Sequence, residues 1–212
     1  MMAPSFENVL QFVDILGVIV FAVSGALVAS RKQMDIVGFV LMASLTGVGG
    51  GTLRDLLLGR QVFWVVDPLP VWVCLIVAVV VFFAAHVFHR RYTILLWADG
   101  IGIAIYAVMG AELARQFGSW PLVSVMMGVM TATFGGLLRD VICNETPLIL
   151  RPEIYASCVA AGAGTHILLV AGDVPVGLAA ATGIFVTFGL RAAGIIRGVT
   201  LPGYKARPGR DY

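Results

Sequence analysis

Charge is what this chain has least of. Lys, Arg, Asp and Glu make up 12% of its 212 residues, where a soluble domain carries about 25%. Too few charged side chains are present to coat a water-facing surface, so the composition calls for lipid as the solvent. Cysteine is scarce as well. Cys74, Cys143 and Cys158 fall in or at the ends of apolar runs, without metal-ligand spacing or a paired extracellular pattern, and read as small packing residues. No stretch between apolar runs is long enough for a separate soluble domain. The strict alternation over about ten residues that builds a membrane β-barrel is missing. No Lys or Arg precedes Arg31, so the first apolar run lacks the positive n-region of a signal peptide, despite the small residues at Ser24-Gly25-Ala26 and Ala29-Ser30. No nucleophile–base pair or metal cluster points to an enzyme, and no cofactor is called for. A net charge of +2, carried on loop-distributed basic residues, makes no case for nucleic acid.

What the chain does have is apolar length, with 59% hydrophobic residues. Helical spans of about 20 apolar residues divide it into seven: Leu10–Ser30, Asp35–Leu58, Pro70–Phe88, Ile94–Arg115, Pro121–Cys143, Glu153–Ala171 and Pro175–Ile195. The expectation is an all-α polytopic membrane protein.

The chain also repeats itself. Shifted by 85 residues without a gap, Asp14, Gly17, Ala22, Val23, Gly25, Ala26 and Ala29 fall on Asp99, Gly102, Ala107, Val108, Gly110, Ala111 and Ala114. Val40, Met42, Thr46, Gly50, Gly51, Leu53, Arg54 and Asp55 fall on Val125, Met127, Thr131, Gly135, Gly136, Leu138, Arg139 and Asp140, giving 15 identities over the 42 positions from Asp14 to Asp55. A repeat fixes architecture. Each unit holds three spans, and an odd number forces the second copy to insert upside down, the arrangement found in membrane transport proteins. The expected organisation is a first repeat over 10–88, an inverted second repeat over 94–171, a seventh helix over 175–195 and a basic tail over 196–212.

Orientation follows from Lys and Arg, which accumulate in cytoplasmic loops. Arg31 and Lys32 follow the first span, Arg90 and Arg91 the third, Arg151 the fifth, and Arg197, Lys205, Arg207 and Arg210 the seventh. The other side shows little beyond Arg60 and Arg115, with Glu7, Asp67 and Asp173. The N-terminus is expected outside and the C-terminus in the cytoplasm. Trp64, Trp72, Trp97 and Trp120 stand near span ends, as belt residues do. The tail reads first as a disordered topology signal and second as a contact for anionic headgroups, at about 1 kcal/mol per basic residue.

Function is expected where the second helix of each unit turns glycine-rich. The first copy reads Thr46-Gly47-Val48-Gly49-Gly50-Gly51-Thr52-Leu53-Arg54-Asp55, the second Thr131-Ala132-Thr133-Phe134-Gly135-Gly136-Leu137-Leu138-Arg139-Asp140. Each glycine costs about 1 kcal/mol of helix propensity relative to alanine, so these runs are candidate breaks. A break frees carbonyls that can replace a cation's hydration shell, and Thr46, Thr131 and Thr133 add hydroxyl oxygens. The competing reading is close helix packing, for which Gly47 and Gly51 make a small-xxx-small pair. Inverted repetition favours the break, because transporters place their sites at two such midplane breaks. Phe134, standing where the first copy has Gly49, is a candidate hydrophobic gate.

Ionisable residues inside spans face a partner or water. Depth arguments pair Asp14 with Arg54 near the outer side and Asp99 with Arg139 near the cytoplasmic side, one pair at each mouth of one path, with Asp55 and Asp140 adjacent. A structural ion pair is the plainer reading of the same charges. Glu112, whose repeat counterpart is Leu27, is expected near the outer interface without a basic neighbour on its face. His166 is expected to be a hydrogen-bonded packing residue, with proton coupling second, and Phe21 and Tyr106 core aromatics matched across the repeat.

At these residues the chain resembles the prokaryotic branch of the trimeric intracellular cation channels. The paired Gly-Gly-x-Leu-Arg-Asp motifs, Gly50–Asp55 and Gly135–Asp140, each following a Thr by four residues, carry the resemblance with the two three-helix units and the seventh helix. It implies a homotrimer in a prokaryotic inner membrane, each subunit with its own pore lined by kinked second and fifth helices. It also implies selectivity for monovalent cations, chiefly potassium, with membrane lipids as the other partner. A carrier for small solutes such as glycine is the alternative, its substrate carboxylate held by Arg54 or Arg139 and by half-helix dipoles.

Overall fold

The computed structural model describes residues 6–87 and 90–202. Lys205, Arg207 and Arg210 therefore lie outside the described residues. The described residues form eight α-helices: α1 (Phe6–Arg31), α2 (Ile36–Leu57), a short α3 (Phe63–Val66), α4 (Leu69–Ala84), α5 (Arg91–Gln116), α6 (Pro121–Ile142), α7 (Ala156–Ala171) and α8 (Val176–Arg197). Local chemistry explains several boundaries. Asp35 caps α2 by accepting from the Gly38 N–H at 2.8 Å, and Pro121 starts α6, where a missing N–H costs nothing. Gly198 ends α8 at φ 62°, the left-handed conformation that glycine adopts freely.

Among the described residues, six helices are long and apolar enough to cross a membrane: Phe12–Arg31 of α1, α2, Leu69–Val87, α5, α6 and α8. The sixth expected span, Glu153–Ala171, is shorter. α7 has 16 residues, about 24 Å of axis at 1.5 Å each, against about 30 Å of hydrocarbon. Its expected first turn is not helical, because Glu153 instead pairs with Thr200 in an isolated β-bridge and with Arg191 at 2.9 Å.

The helices α1, α2 and α4 pack on one another, as do α5, α6 and α7; α1 meets α5, α2 meets α6, and α8 covers α5 and α7. Contacts between α1 and α5 run in opposite directions along the two helices. A Cβ at Gly17 would touch the Tyr106 ring at 3.1 Å and one at Gly102 the Phe21 ring at 2.9 Å. Those two rings stack with centroids 5.4 Å apart and planes 14° from parallel, so each aromatic lies over the glycine of the opposite copy. Offset stacking adds about 0.5–1.5 kcal/mol beyond area burial. Phe21, Ala22, Ala26, Ala29, Ala107, Ala111 and Ala114 are all essentially buried, which is why small residues recur at helical spacing in both copies. Trp72 and Trp120 are exposed at 60% and 80%.

Candidate functional site

The glycine runs do not break their helices. α2 is continuous from Ile36 to Leu57 and α6 from Pro121 to Ile142, so the expected interruptions at Thr46–Gly51 and Thr131–Gly136, and the freed carbonyls with them, are not present. The reason is energetic. Glycine weakens a helix by about 1 kcal/mol, whereas a lipid-buried carbonyl without a partner costs several, and the ladder is kept. What the glycines do is let two backbones meet. A Cβ at Gly50 would collide with the carbonyl oxygen of Thr131, and one at Gly135 with the carbonyl oxygen of Thr46. The contact is reciprocal, and α2 and α6 pass each other antiparallel there. Gly49 belongs to the same crossing, its Cβ position 3.5 Å from Gly135 Cα and 3.3 Å from Leu138. Gly51 and Gly136 instead make room for neighbours: the Phe63 ring at 2.6 Å from one Cβ position, and Asp99 Oδ1 and the Tyr155 hydroxyl at 3.2 and 3.3 Å from the other.

The threonine hydroxyls turn inward to their own helices. Thr46 donates to the Met42 carbonyl at 2.7 Å, Thr131 to Met127 at 2.6 Å and Thr133 to Val129 at 2.9 Å. Thr46 and Thr131 also press on Gly25 and Gly110, where a Cβ would come within 2.6 Å of each hydroxyl oxygen. Phe134 is half-buried.

The two Arg-Asp motifs each build a cluster of charge among the described residues. Arg54 is buried and lies 2.9 Å from Asp55 and 3.7 Å from Asp14, whose side chain is 17% exposed. Arg60, partly exposed, approaches Asp55 at 3.8 Å. In the second cluster Arg139 has no exposure, with Asp99 at 3.0 Å and Asp140 at 2.7 Å, and it also donates to the Ser24 hydroxyl. Both Asp–Arg contacts expected from depth are thus formed. Ten residues of α1 separate Asp14 from Ser24, about 15 Å of helix axis, which places the clusters toward opposite ends of the bundle. Each sets two carboxylates against one buried guanidinium, and the first adds the partly exposed Arg60.

Asp55 and Asp140 have a further task. Asp55 Oδ2 accepts from the Phe63 N–H at 2.9 Å and Asp140 Oδ2 from the Leu148 N–H at 3.0 Å. The Arg60 N–H donates to the Asp55 carbonyl and the Glu145 N–H to the Asp140 carbonyl. Between these bonds the chain turns through Gly59 at φ 65° and Asn144 at φ 50°, residue types that tolerate the left-handed region. The Arg-Asp dipeptide therefore staples the end of each helix to the segment that follows, and Asp140 and Asp55 are anchors of backbone rather than free charges.

Two polar groups escaped the reasoning from spans. Glu112 does have a basic neighbour on its own face: Arg115 contacts it with two nitrogens, at 2.7 and 2.8 Å, and Gln116 and His166 Nε2 complete its shell at 2.9 and 3.0 Å. The i,i+3 spacing of Glu112 and Arg115 was the available signal, and His166 is the hydrogen-bonded residue expected. Arg191, on α8, is fully buried, bonds Glu153 Oε2 at 2.9 Å and the Ile154 carbonyl at 3.2 Å, and stacks over the Tyr155 ring at 5.1 Å. A charged residue inside an apolar span was its only mark, since it has no counterpart in the repeat.

A family profile described as Glycine transporter matches residues 11–86 and 96–171, two stretches offset by the same 85 positions. The UPF0126 inner membrane protein YadS of Escherichia coli strain K12 is 36% identical over 194 residues, spanning 90% of this chain and 94% of that one. A UPF0126 membrane protein of Vibrio cholerae is 36% identical over 197 residues, covering 92% and 82%. Among solved structures, the TRIC trimeric intracellular cation channel orthologue from Rhodobacter sphaeroides is 51% identical with a TM-score of 0.88, covering 91% of this chain and all of that one. A structure described under conductance through TRIC cation channels is 30% identical with a TM-score of 0.84, covering 94% and 98%.

Proposed function

The chain belongs to the prokaryotic TRIC channel family, whose sequence profile carries the description Glycine transporter, and on that premise we propose that it is a potassium-conducting channel with a path in each subunit of a homotrimer. The two three-helix units are read as inverted copies, the N-terminus outside and the C-terminus in the cytoplasm of an inner membrane. The path runs along the α2–α6 crossing, past Thr46, Gly49, Gly50, Gly51, Thr131, Thr133, Gly135 and Gly136, with Phe134 as a gate. Asp14, Arg54 and Asp55 mark one mouth and Asp99, Arg139 and Asp140 the other.

The observation that carries this reading is the charge at the Arg139 cluster. Asp99 and Asp140 outnumber its one guanidinium, and a surplus negative charge in a low-dielectric wall attracts cations and repels anions; at the other cluster the partly exposed Arg60 offsets the second carboxylate. Electroneutral pairing would give no such preference. The reciprocal contact of Gly50 and Gly135 with opposing carbonyls holds α2 and α6 together at the centre, so conduction requires those helices to part or ions to pass beside the crossing.

That same closed crossing favours the second reading, a carrier for a small zwitterion such as glycine, because a carrier needs an occluded centre and a rocking motion. One preparation separates the two. Purified protein in a planar bilayer under a potassium chloride gradient is expected to show unitary steps reversing near the potassium equilibrium potential. Gly50→Leu and Gly135→Leu, which force α2 and α6 apart at their carbonyl contacts, are expected to abolish them. A silent bilayer with saturable glycine uptake into liposomes overturns the channel reading.

A further inference from the structure

Seven buried side-chain atoms make no hydrogen bond among the described residues, and five of them belong to one place: Asp99 Oδ2, Arg139 Nη2, the Tyr155 hydroxyl, and Arg191 Nε and Nη2. Their proximity is built through two glycines. The Cβ position of Gly136 lies 3.2 Å from Asp99 Oδ1, 3.3 Å from the Tyr155 hydroxyl and 3.6 Å from Arg139 Nη2, and the Cβ position of Gly100, next in chain to Asp99, lies 3.3 Å from Arg191 Cγ. The Arg191 guanidinium covers the Tyr155 ring at 5.1 Å. The Tyr155 hydroxyl is a donor and Asp99 Oδ2 an acceptor, so the two can serve one another. The three guanidinium nitrogens still need acceptors, and protein interiors supply such groups with water.

We infer that Asp99, Arg139, Tyr155 and Arg191 enclose a hydrated inner chamber on the cation path, and that Arg191, delivered from outside the two repeats by α8, sets its charge. The placement on the path rests on the channel reading; the hydration does not. Asp99, Asp140 and Glu153 against Arg139 and Arg191 leave one net negative charge. The other cluster, Asp14 and Asp55 against Arg54 and the partly exposed Arg60, is balanced. Arg191 thus holds this end to a single negative charge despite the extra Glu153, and its removal gives this end two.

Two measurements on the full chain in lipid test the inference. Under X-ray hydroxyl-radical labelling, Tyr155, only 3% exposed, is expected to be modified several-fold faster than Tyr106, 1% exposed. Equal protection of the two tyrosines overturns the chamber. In bilayers, Arg191→Met is expected to skew the current–voltage relation by about twofold or more at low ionic strength, favouring cations that enter from this end. Arg191→Lys is expected to keep the wild-type relation, and Glu153→Gln, which removes a negative charge instead, to shift it the other way. Wild-type currents with all three variants indistinguishable from wild type overturn the role of Arg191. A wild type that passes no current defeats the channel reading, and the labelling ratio then still decides whether the chamber is wet.

Discussion

Deleting the two cluster arginines should not cost the same, although they are counterparts across the repeat. Arg139 has no exposure and faces Asp99 and Asp140, themselves 0% and 5% exposed. Arg139→Met strands two carboxylates in a site closed to bulk water, and uncompensated buried charge costs about 3–5 kcal/mol. Arg54→Met strands Asp55, but Arg60 already lies 3.8 Å from it and can take over the charge. Asp14, 17% exposed and 3.7 Å from Arg54, keeps access to water. The expected cost there is lower, about 1–2 kcal/mol for one partly relieved group. At roughly 2–4 °C per kcal/mol for a chain of this size, Arg139→Met should lower the unfolding midpoint by roughly 6–20 °C and Arg54→Met by roughly 2–8 °C. Asp99→Asn added to Arg139→Met should recover part of the loss. The assay is thermal unfolding in detergent followed by tryptophan fluorescence. An Arg54→Met midpoint at or below that of Arg139→Met would refute the argument from exposure and from the Arg60 substitute.

The Glu112–His166 pair occupies positions filled by Leu27 and Val81 in the first copy, both buried. Glu112→Leu or His166→Val alone is expected to destabilise by about 1–3 kcal/mol, because each leaves a buried polar partner unsatisfied, while the double variant should be milder than the sum of the two in a double-mutant cycle; additive losses contradict this. At the loop after α6, Asn144→Gly should leave the midpoint within about 0.5 kcal/mol of wild type, whereas Asn144→Val at φ 50° should cost about 1–2 kcal/mol. Equal behaviour of the two substitutions would show that the turn does not hold its left-handed residue.

Membrane class, six of the seven expected spans and the partnerships of Asp14 with Arg54 and Asp99 with Arg139 were determined by the sequence alone. The physical reason is the bilayer: a helix that must cross lipid converts residue number into depth, so charges at equal depth on neighbouring helices can be paired from spacing. The matched turns at Gly59 and Asn144 are visible in the same way once the 85-residue shift is known. Lateral closeness is another matter. Whether Gly47–Gly51 breaks a helix or admits a second backbone depends on what stands opposite, and that neighbour, the Thr131 carbonyl, lies 81 residues from Gly50 in the chain. Arg191 shows the same limit, since its buried place beside Tyr155 and Glu153 depends on how α8 docks against α5 and α7. Depth was written in the sequence; which groups touch across the bundle, and so whether glycine means a gap or a contact, was decided only when the helices packed.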